Sequence, residues 1–296
     1  MTTDNVLDLI GNTPLIELKP HQIFAKAEFL NPGGSIKDRV ALAMIEGAER
    51  DGRINENTVL VEPTSGNTGI GIALVGRLKN YKVIITMPEN MSEERKKLIL
   101  SLGAELILTP EKESIQGAVD KAAEIVANTP NAYTLQQFEN PDNPRAHFEG
   151  TGRELWRQMR GDIDIFVAGV GSGGTLQGVS EFLKKHKPDV KIVAVEPKNV
   201  SALLGHEPGL HQIQGIGDGF IPEILDTKLV DEIIEVTDEE AINATRDLSS
   251  NHGLMAGISS GANVFAAMQL AVKYPEVRIA TVLPDRVERY FSSTMM

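Results

Sequence analysis

The sequence predicts an α/β fold of two lobes, each a twisted and mostly parallel sheet flanked by helices, with a cleft between them. Three observations carry that prediction. Short apolar runs alternate with segments of helical spacing along almost the whole chain, which is the pattern of a parallel sheet covered on both faces. A length of 296 residues is long for one compact core and suggests two packed lobes. Glycine- and hydroxyl-rich loops follow several of the apolar runs, at the carboxyl ends of strands where open α/β sheets bind ligands.

In chain order, Leu9–Leu15 reads as a turn feeding two short strands, Leu15–Leu18 and Ile23–Ala27, joined by a tight connection that contains Pro20. After Asn31–Ser35, the spacing of Val40, Ala41, Met44, Ile45 and Ala48 fits a helix capped by Ser35 and ending near Gly52. Then come a strand (Thr58–Glu62), a helix (Ile70–Leu78), a strand (Lys82–Met87), a helix (Ser92–Leu102), a strand (Glu105–Leu108), a helix (Ile115–Ala127) and a strand (Tyr133–Gln136). The prolines of Asn140–Pro144 mark a crossing between lobes. A helix from Ala146 to Met159 opens the second set: Asp164–Ala168 as strand, Leu176–Lys185 as helix and Val190–Glu196 as strand. Residues 197–230 read as irregular. Strand Glu232–Val236, helices Glu239–Asn251 and Gly261–Lys273, and strand Val277–Leu283 complete the chain. Glu239, Glu240 and Arg246 fit a solvated helix face, with Trp156 and Met159 expected as core beneath that helix.

Composition excludes several function classes. Hydrophobic content of 41% beside 24% charged residues is ordinary for a globular chain. A net charge of −12 with no basic cluster argues against a nucleic-acid surface. No apolar stretch is long enough to span a bilayer, and no signal-peptide pattern opens the chain, so a cytoplasmic protein is the expectation. The absence of cysteine removes disulfides, thiolate metal sites and thiol nucleophiles together. His206 and His211 are spaced one residue too far apart for a helical zinc pair, and Pro208-Gly209 forbids the helix, so no metal is expected.

The chemistry gathers on one lysine. Lys37 falls in the first turn of its helix, where the macrodipole disfavours a positive charge. A lysine held neutral can form a Schiff base with an aldehyde. Thr64-Ser65-Gly66-Asn67-Thr68-Gly69 follows a strand and opens a helix, presenting hydroxyls and free N–H groups to an anion. Gly169-Val170-Gly171-Ser172-Gly173-Gly174-Thr175 repeats that arrangement with enough glycine to wrap a phosphate. Positions 169, 171 and 174 also match a dinucleotide fingerprint, with Glu196 placed for a ribose, so a nicotinamide-binding domain stands as an alternative. That alternative leaves Lys37 and Thr64–Gly69 unexplained. Together the parts ask for a phosphate, a carbonyl that lysine captures and a separate carboxylate: pyridoxal 5'-phosphate carrying an amino acid. Gly257–Gly261 offers a hydroxyl for a pyridine nitrogen, or a plain helix cap.

Ile10–Pro14, Asn31–Arg39, Glu62–Gly69, Thr86–Pro88, Gln136–Pro141, Gly169–Thr175, Gly215–Pro222 and Gly257–Gly261, taken in that order, resemble the O-acetylserine sulfhydrylases (cysteine synthases). These are fold-type-II pyridoxal-phosphate enzymes, similar in fold to tryptophan synthase β. The resemblance implies a larger domain (1–34 and 144–296) that binds the cofactor phosphate. It also implies a smaller, mobile domain (35–143) that closes when its loop binds a substrate carboxylate. It gives Lys37 the Schiff base and the α-proton, Asn67 the ring hydroxyl, Gly171, Ser172, Gly173, Gly174 and Thr175 the phosphate, and Ser259 the ring nitrogen. Thr64, Ser65, Gly66, Thr68 and Gln137 would hold the substrate carboxylate. The implied reaction exchanges the acetoxy group of O-acetylserine for sulfide. O-phosphoserine and cystathionine β-synthase-type reactions are alternatives, and so is an inactive chain that binds serine acetyltransferase. A homodimer is expected, and relatives can dock the serine acetyltransferase C-terminal tail in their cleft, an additional role the sequence leaves open. Departures from the family pattern fall at Gly150 and Arg153, at Asp218 and at Arg286–Val287.

Overall fold

The computed structural model describes residues 2–292. The chain forms β1 (Leu15–Leu18), β2 (Ile23–Lys26), α1 (Lys37–Arg50), β3 (Val59–Pro63), α2 (Asn67–Leu78), β4 (Lys82–Pro88), α3 (Glu93–Ser101), β5 (Glu105–Thr109), α4 (Ser114–Asn128) and β6 (Ala132–Tyr133). It continues through α5 (Asp142–Ala146), α6 (Arg153–Gln158), β7 (Ile165–Gly169), α7 (Gly174–His186), β8 (Lys191–Pro197), β9 (Glu232–Val236), α8 (Asp238–His252), α9 (Ile258–Lys273) and β10 (Ile279–Val282). Two sheets result. The six-stranded one runs β1-β2-β10-β7-β8-β9, and the four-stranded one β5-β4-β3-β6. Every pairing is parallel except the β1–β2 hairpin.

Strand alternation sorts the helices into layers. On β7, Ile165 and Val167 face Leu248 of α8 and Ala266 and Leu270 of α9. Phe166 and Ala168 face the other way, onto Val179 and Leu183 of α7. Trp156 and Met159 belong to that second cluster, so they pack across the sheet from α8 and not beneath it. Glu239 and Arg246 are exposed as expected, while Glu240 closes a capping box with Thr237. In the smaller sheet Leu60, Val83 and Ile85 pack on Met44 of α1, Ile72 of α2 and Ile99 of α3. Val61 and Ile84 pack on Ala122 of α4.

Three stretches depart from the predicted pattern. Only Ala132–Tyr133 pairs as β6. Beyond it the buried Glu62 carboxylate accepts the Leu135 N–H at 3.0 Å, and Gln136 turns with φ +57°. The helix expected at Ala146 begins at Asp142, because Pro144 sits in its first turn, where a missing N–H and a fixed φ cost little. Between α5 and α6 the turn is a π-helix, His147–Gly152, a widening that often marks a functional region. Ser35 is not the cap of α1: its Oγ accepts the Lys37 N–H at 3.2 Å, but Ile36 takes the capping position, without a side-chain bond.

A buried ionic cluster ties α1 to α6 and to the end of β2. Arg39 reaches Glu28 Oε2 and Glu154 Oε1, each at 2.7 Å, and Lys26 Nζ lies 2.7 Å from Glu154 Oε2. Two cations and two carboxylates balance, which is what such burial requires. Gly150 lies against this cluster: a Cβ there would sit 3.0 Å from Arg39 Nη1.

Candidate active site

The Lys37 segment is held by what its glycines leave room for. The Gly33 N–H donates to Asp38 Oδ2 at 2.6 Å. Gly34 has φ +83°, and a Cβ there would sit 2.8 Å from Arg289 Nη2. Lys37 is the first residue of α1, and its Nζ reaches Ser172 Oγ at 3.3 Å across the space between the two sheets. Burial pushes its amine below the ordinary lysine range, and the nearby Asp218 carboxylate only partly opposes the shift.

Two helix starts flank that amine. On one side, α2 opens at Asn67, with Gly66 in its capping position. Thr64 Oγ1 accepts the Gly66 N–H at 3.1 Å, and Thr68 Oγ1 donates to Gln137 Oε1 at 2.6 Å. With its oxygen engaged, Gln137 keeps its NH₂ for an acceptor. Glu62 steadies the turn that carries Gln137. Burial raises its carboxyl to about 7, against the pull of the backbone N–H groups of Leu135, Gln136 and Gln137. On the other side, α7 opens at Gly174, preceded by Gly173 at φ +83°. The free N–H groups of a helix start and its positive dipole end suit an anion.

The predicted residues meet in one cavity of 740 Å³. Lys37, Thr64, Ser65, Gly66, Asn67, Thr68 and Gln137 line it from the small-sheet side. Gly171, Ser172, Gly173, Thr175 and Ser259 line it from the other, Ser259 from the first turn of α9. Gly174 stands behind the wall, where a Cβ would collide with the Asn143 amide. The dinucleotide reading loses its acidic partner: Glu196 is buried, with Oε2 accepting from Ser201 Oγ at 2.7 Å and from the Leu203 N–H at 3.1 Å. His206 and His211 part company, His211 going to the Gly217 carbonyl and His206 toward Lys198 and Glu235.

Four further polar residues take part. Asn143 Nδ2 donates to Ser172 Oγ at 3.0 Å and to the Gln137 carbonyl at 2.8 Å, tying both flanking loops together. His147 places Nδ1 3.0 Å from Thr151 Oγ1 and Nε2 3.3 Å from Thr175 Oγ1. Burial, then the charges of Lys37 and Arg39, hold its imidazole well below the ordinary range, hence neutral. Asp218 lines the cavity, its carboxyl raised by burial and drawn back by Lys37. Arg289 donates to Asn67 Oδ1. Asp218 and the Arg286–Val287 region had a signal in sequence, as departures from a pattern. Asn143 and His147 had none, being hidden in a stretch that reads as a connector.

The family model for pyridoxal-phosphate-dependent enzymes matches residues 6–285. Cysteine synthase B of Campylobacter jejuni is 51% identical over 294 residues, covering 99% of this chain and 98% of that protein. The crystal structure of a cysteine synthase from Entamoeba histolytica superposes with a TM-score of 0.95 at 39% identity, over 100% of this chain and 91% of that one. An O-acetylserine-dependent cystathionine β-synthase from Helicobacter pylori superposes with a TM-score of 0.93 at 40% identity, over 100% and 99% of the two chains.

Proposed function

This chain belongs to the pyridoxal-phosphate-dependent enzyme family, and we propose that within it the protein is a cysteine synthase. It converts O-acetyl-L-serine and sulfide to L-cysteine and acetate. The observation that carries this reading is an amine pushed toward neutrality between two helix N-termini on the walls of one cavity. A phosphate and a carboxylate find one anion site each, and a carbonyl meets the amine between them.

The residues present fit pyridoxal 5'-phosphate. Gly171–Thr175 offers two hydroxyls and the open start of α7 for the phosphate, without a cation. Asn67 and Ser259 supply neutral hydrogen-bonding groups for a ring oxygen and a ring nitrogen. A cavity of 740 Å³ accommodates a cofactor together with an amino acid. When bound, the cofactor supplies an aldehyde that captures the substrate amine and a ring that delocalises the electron pair left at the α-carbon.

The remaining work falls to the chain. Thr64, Ser65, Gly66, Thr68 and Gln137 take the substrate carboxylate at the start of α2, which fixes the α-carbon before Lys37. Lys37 Nζ removes the α-proton as acetate leaves the β-carbon, and returns it after sulfide adds. Ser172 Oγ, held by Asn143, gives that amine a fixed position. Residues 35–143 move as the smaller domain and close over the bound carboxylate, excluding water. Lys37 is the sole cation among the described residues lining the cavity, where Glu62, Glu139 and Asp218 are its acidic groups. A second phosphoryl group would therefore meet acids, which favours an acetyl over a phosphate leaving group.

We further assign a homodimer, docking of the serine acetyltransferase tail in the cleft and a cytoplasmic location. No described helix is long and apolar enough to cross a membrane. The deciding test is the absorption spectrum of the cofactor-loaded protein. O-acetylserine is expected to change the cofactor band, and sulfide to restore it with cysteine released. A band indifferent to O-acetylserine but responsive to O-phosphoserine, or to serine with homocysteine, refutes the assignment.

A further inference from the structure

The C-terminal segment carries an arginine that holds Asn67 and has no step of the reaction. Arg289 is 3% exposed. Its Nη1 donates to Asn67 Oδ1 and its Nη2 to the Gly33 carbonyl. Asn67 Nδ2 donates in turn to Asp285 Oδ2 at 2.7 Å, and that oxygen also takes the Tyr290 hydroxyl at 2.6 Å. A guanidinium only donates and a carboxylate only accepts, so the two partners fix the Asn67 amide in one orientation. One N–H and one lone pair remain for the cavity that Asn67 lines. Gly34 makes the arrangement possible, since a Cβ there would crowd Arg289 Nη2 and, at 3.3 Å, Arg286 Nε. Asp38 and Asp285 flank the guanidinium as carboxyls, with Arg95, Arg286 and Tyr290 around them.

We propose that Arg289 is a positioning residue that, through Asn67, sets the protonation of the cofactor's ring oxygen. The inference rests on the assignment of Asn67 to that oxygen. Arg289 locks the amide so that its free N–H faces the ligand, and its charge polarises that N–H, which favours the oxygen as an anion. An ionised ring oxygen accepts from Asn67; a protonated one competes with it for the same hydrogen bond.

The cofactor band moves to shorter wavelength when the ring oxygen is protonated, so a pH titration of the loaded protein reads the effect without turnover. Arg289→Met is expected to raise the midpoint by about one pH unit, the lower end of what an opposite charge contributes. Arg289→Lys, which keeps charge and donor, should return it near the wild-type value. Asn67→Ala should shift it as well, and Asn67→Ala with Arg289→Met no further than Asn67→Ala alone. Should the methionine variant fail to fold, Arg289→Gln carries the same expectation, since it loses the charge but keeps a donor. If Arg289→Met or its substitute titrates like wild type while Asn67→Ala shifts, Arg289 merely pins the Gly33 loop and the inference falls. If Asn67→Ala itself titrates like wild type, the Asn67 assignment falls, and the inference with it.

Discussion

Thr68→Val is a nearly isosteric change that isolates the carboxylate loop from the rest of the site. Thr68 is 2% exposed, and its hydroxyl does two things: it donates to Gln137 Oε1 at 2.6 Å and lines the cavity. Valine keeps the volume and the helix start while removing the polar atom. The hydroxyl's one hydrogen is on Gln137, so it serves the carboxylate by aiming the Gln137 NH₂; a hydrogen bond to a charged group contributes about 1.5–3 kcal/mol, and losing that aim lowers kcat/KM roughly 10- to 150-fold. That loss should fall mainly on KM for O-acetylserine, because the carboxylate is held equally before and during proton transfer. Cofactor affinity should not change, since the phosphate loop lies on the other sheet. Gln137→Leu should have a similar effect. The double variant should cost little more than either alone, because each change already disables the shared bond. Steady-state kinetics with O-acetylserine as the varied substrate, beside a cofactor titration, measures all three. A Thr68→Val enzyme with KM within twofold of wild type, or losses that add fully in the double variant, would refute a carboxylate site built on this pair.

Lys37→Ala should abolish turnover while leaving the fold intact; substantial residual activity in a steady-state assay would take the lysine out of its role. Gly174→Ala places a methyl on the Asn143 amide and so disturbs the Ser172 hydroxyl that Asn143 holds. Titration of the cofactor-free protein with pyridoxal 5'-phosphate should show affinity down roughly tenfold, the worth of one such bond. Glu154 gives the pH dependence of stability. Burial pushes its carboxyl up, but Arg39 and Lys26 hold it down at about 2, against an ordinary 4.5. A depressed acid stabilises above its unfolded value and loses that contribution as pH falls through the folded one. About 3 kcal/mol should therefore disappear between pH 5 and 2, and urea unfolding of Glu154→Gln should lack most of that acid slope.

Much of the architecture was legible because it rests on short-range patterning. Strand β9 falls on Glu232–Val236 as read, and most other elements within a few residues. The loops at Thr64–Gly69 and Gly169–Thr175 stood out because glycine and hydroxyl residues follow apolar runs directly, which few other contexts require. What failed depended on contacts distant in sequence. The strand expected over Tyr133–Gln136 stops after Tyr133 because Glu62, 73 residues before Leu135, takes that residue's N–H. The prolines of Asn140–Pro144 read as a crossing between lobes with the helix beyond them, whereas the helix already begins at Asp142, whose N–H donates to Asn140 Oδ1 at 3.0 Å. Trp156 and Met159 pack as the core residues the sequence predicts, but periodicity does not say which face of a sheet a helix will cover.

The same physics explains why the outer polar residues of the site were harder to read than its loops. Apolar periodicity reports which face of an element is buried; it does not report which polar side chains are buried with it, because those are tolerated wherever a partner waits. Asn143 and His147 meet the α7 loop 28 or 29 residues later, and Arg289 meets Asn67 222 residues earlier. None of these pairs has a local signature. Glycine is the one residue type that records such a partner in advance, through the side chain it lacks. Gly34 leaves room for Arg289, Gly174 for Asn143 and Gly150 for Arg39. Such a glycine does not always mark a polar partner: Gly76 leaves room for Val83 and Gly152 for Phe182, so the missing side chain shows where something packs and not what it is.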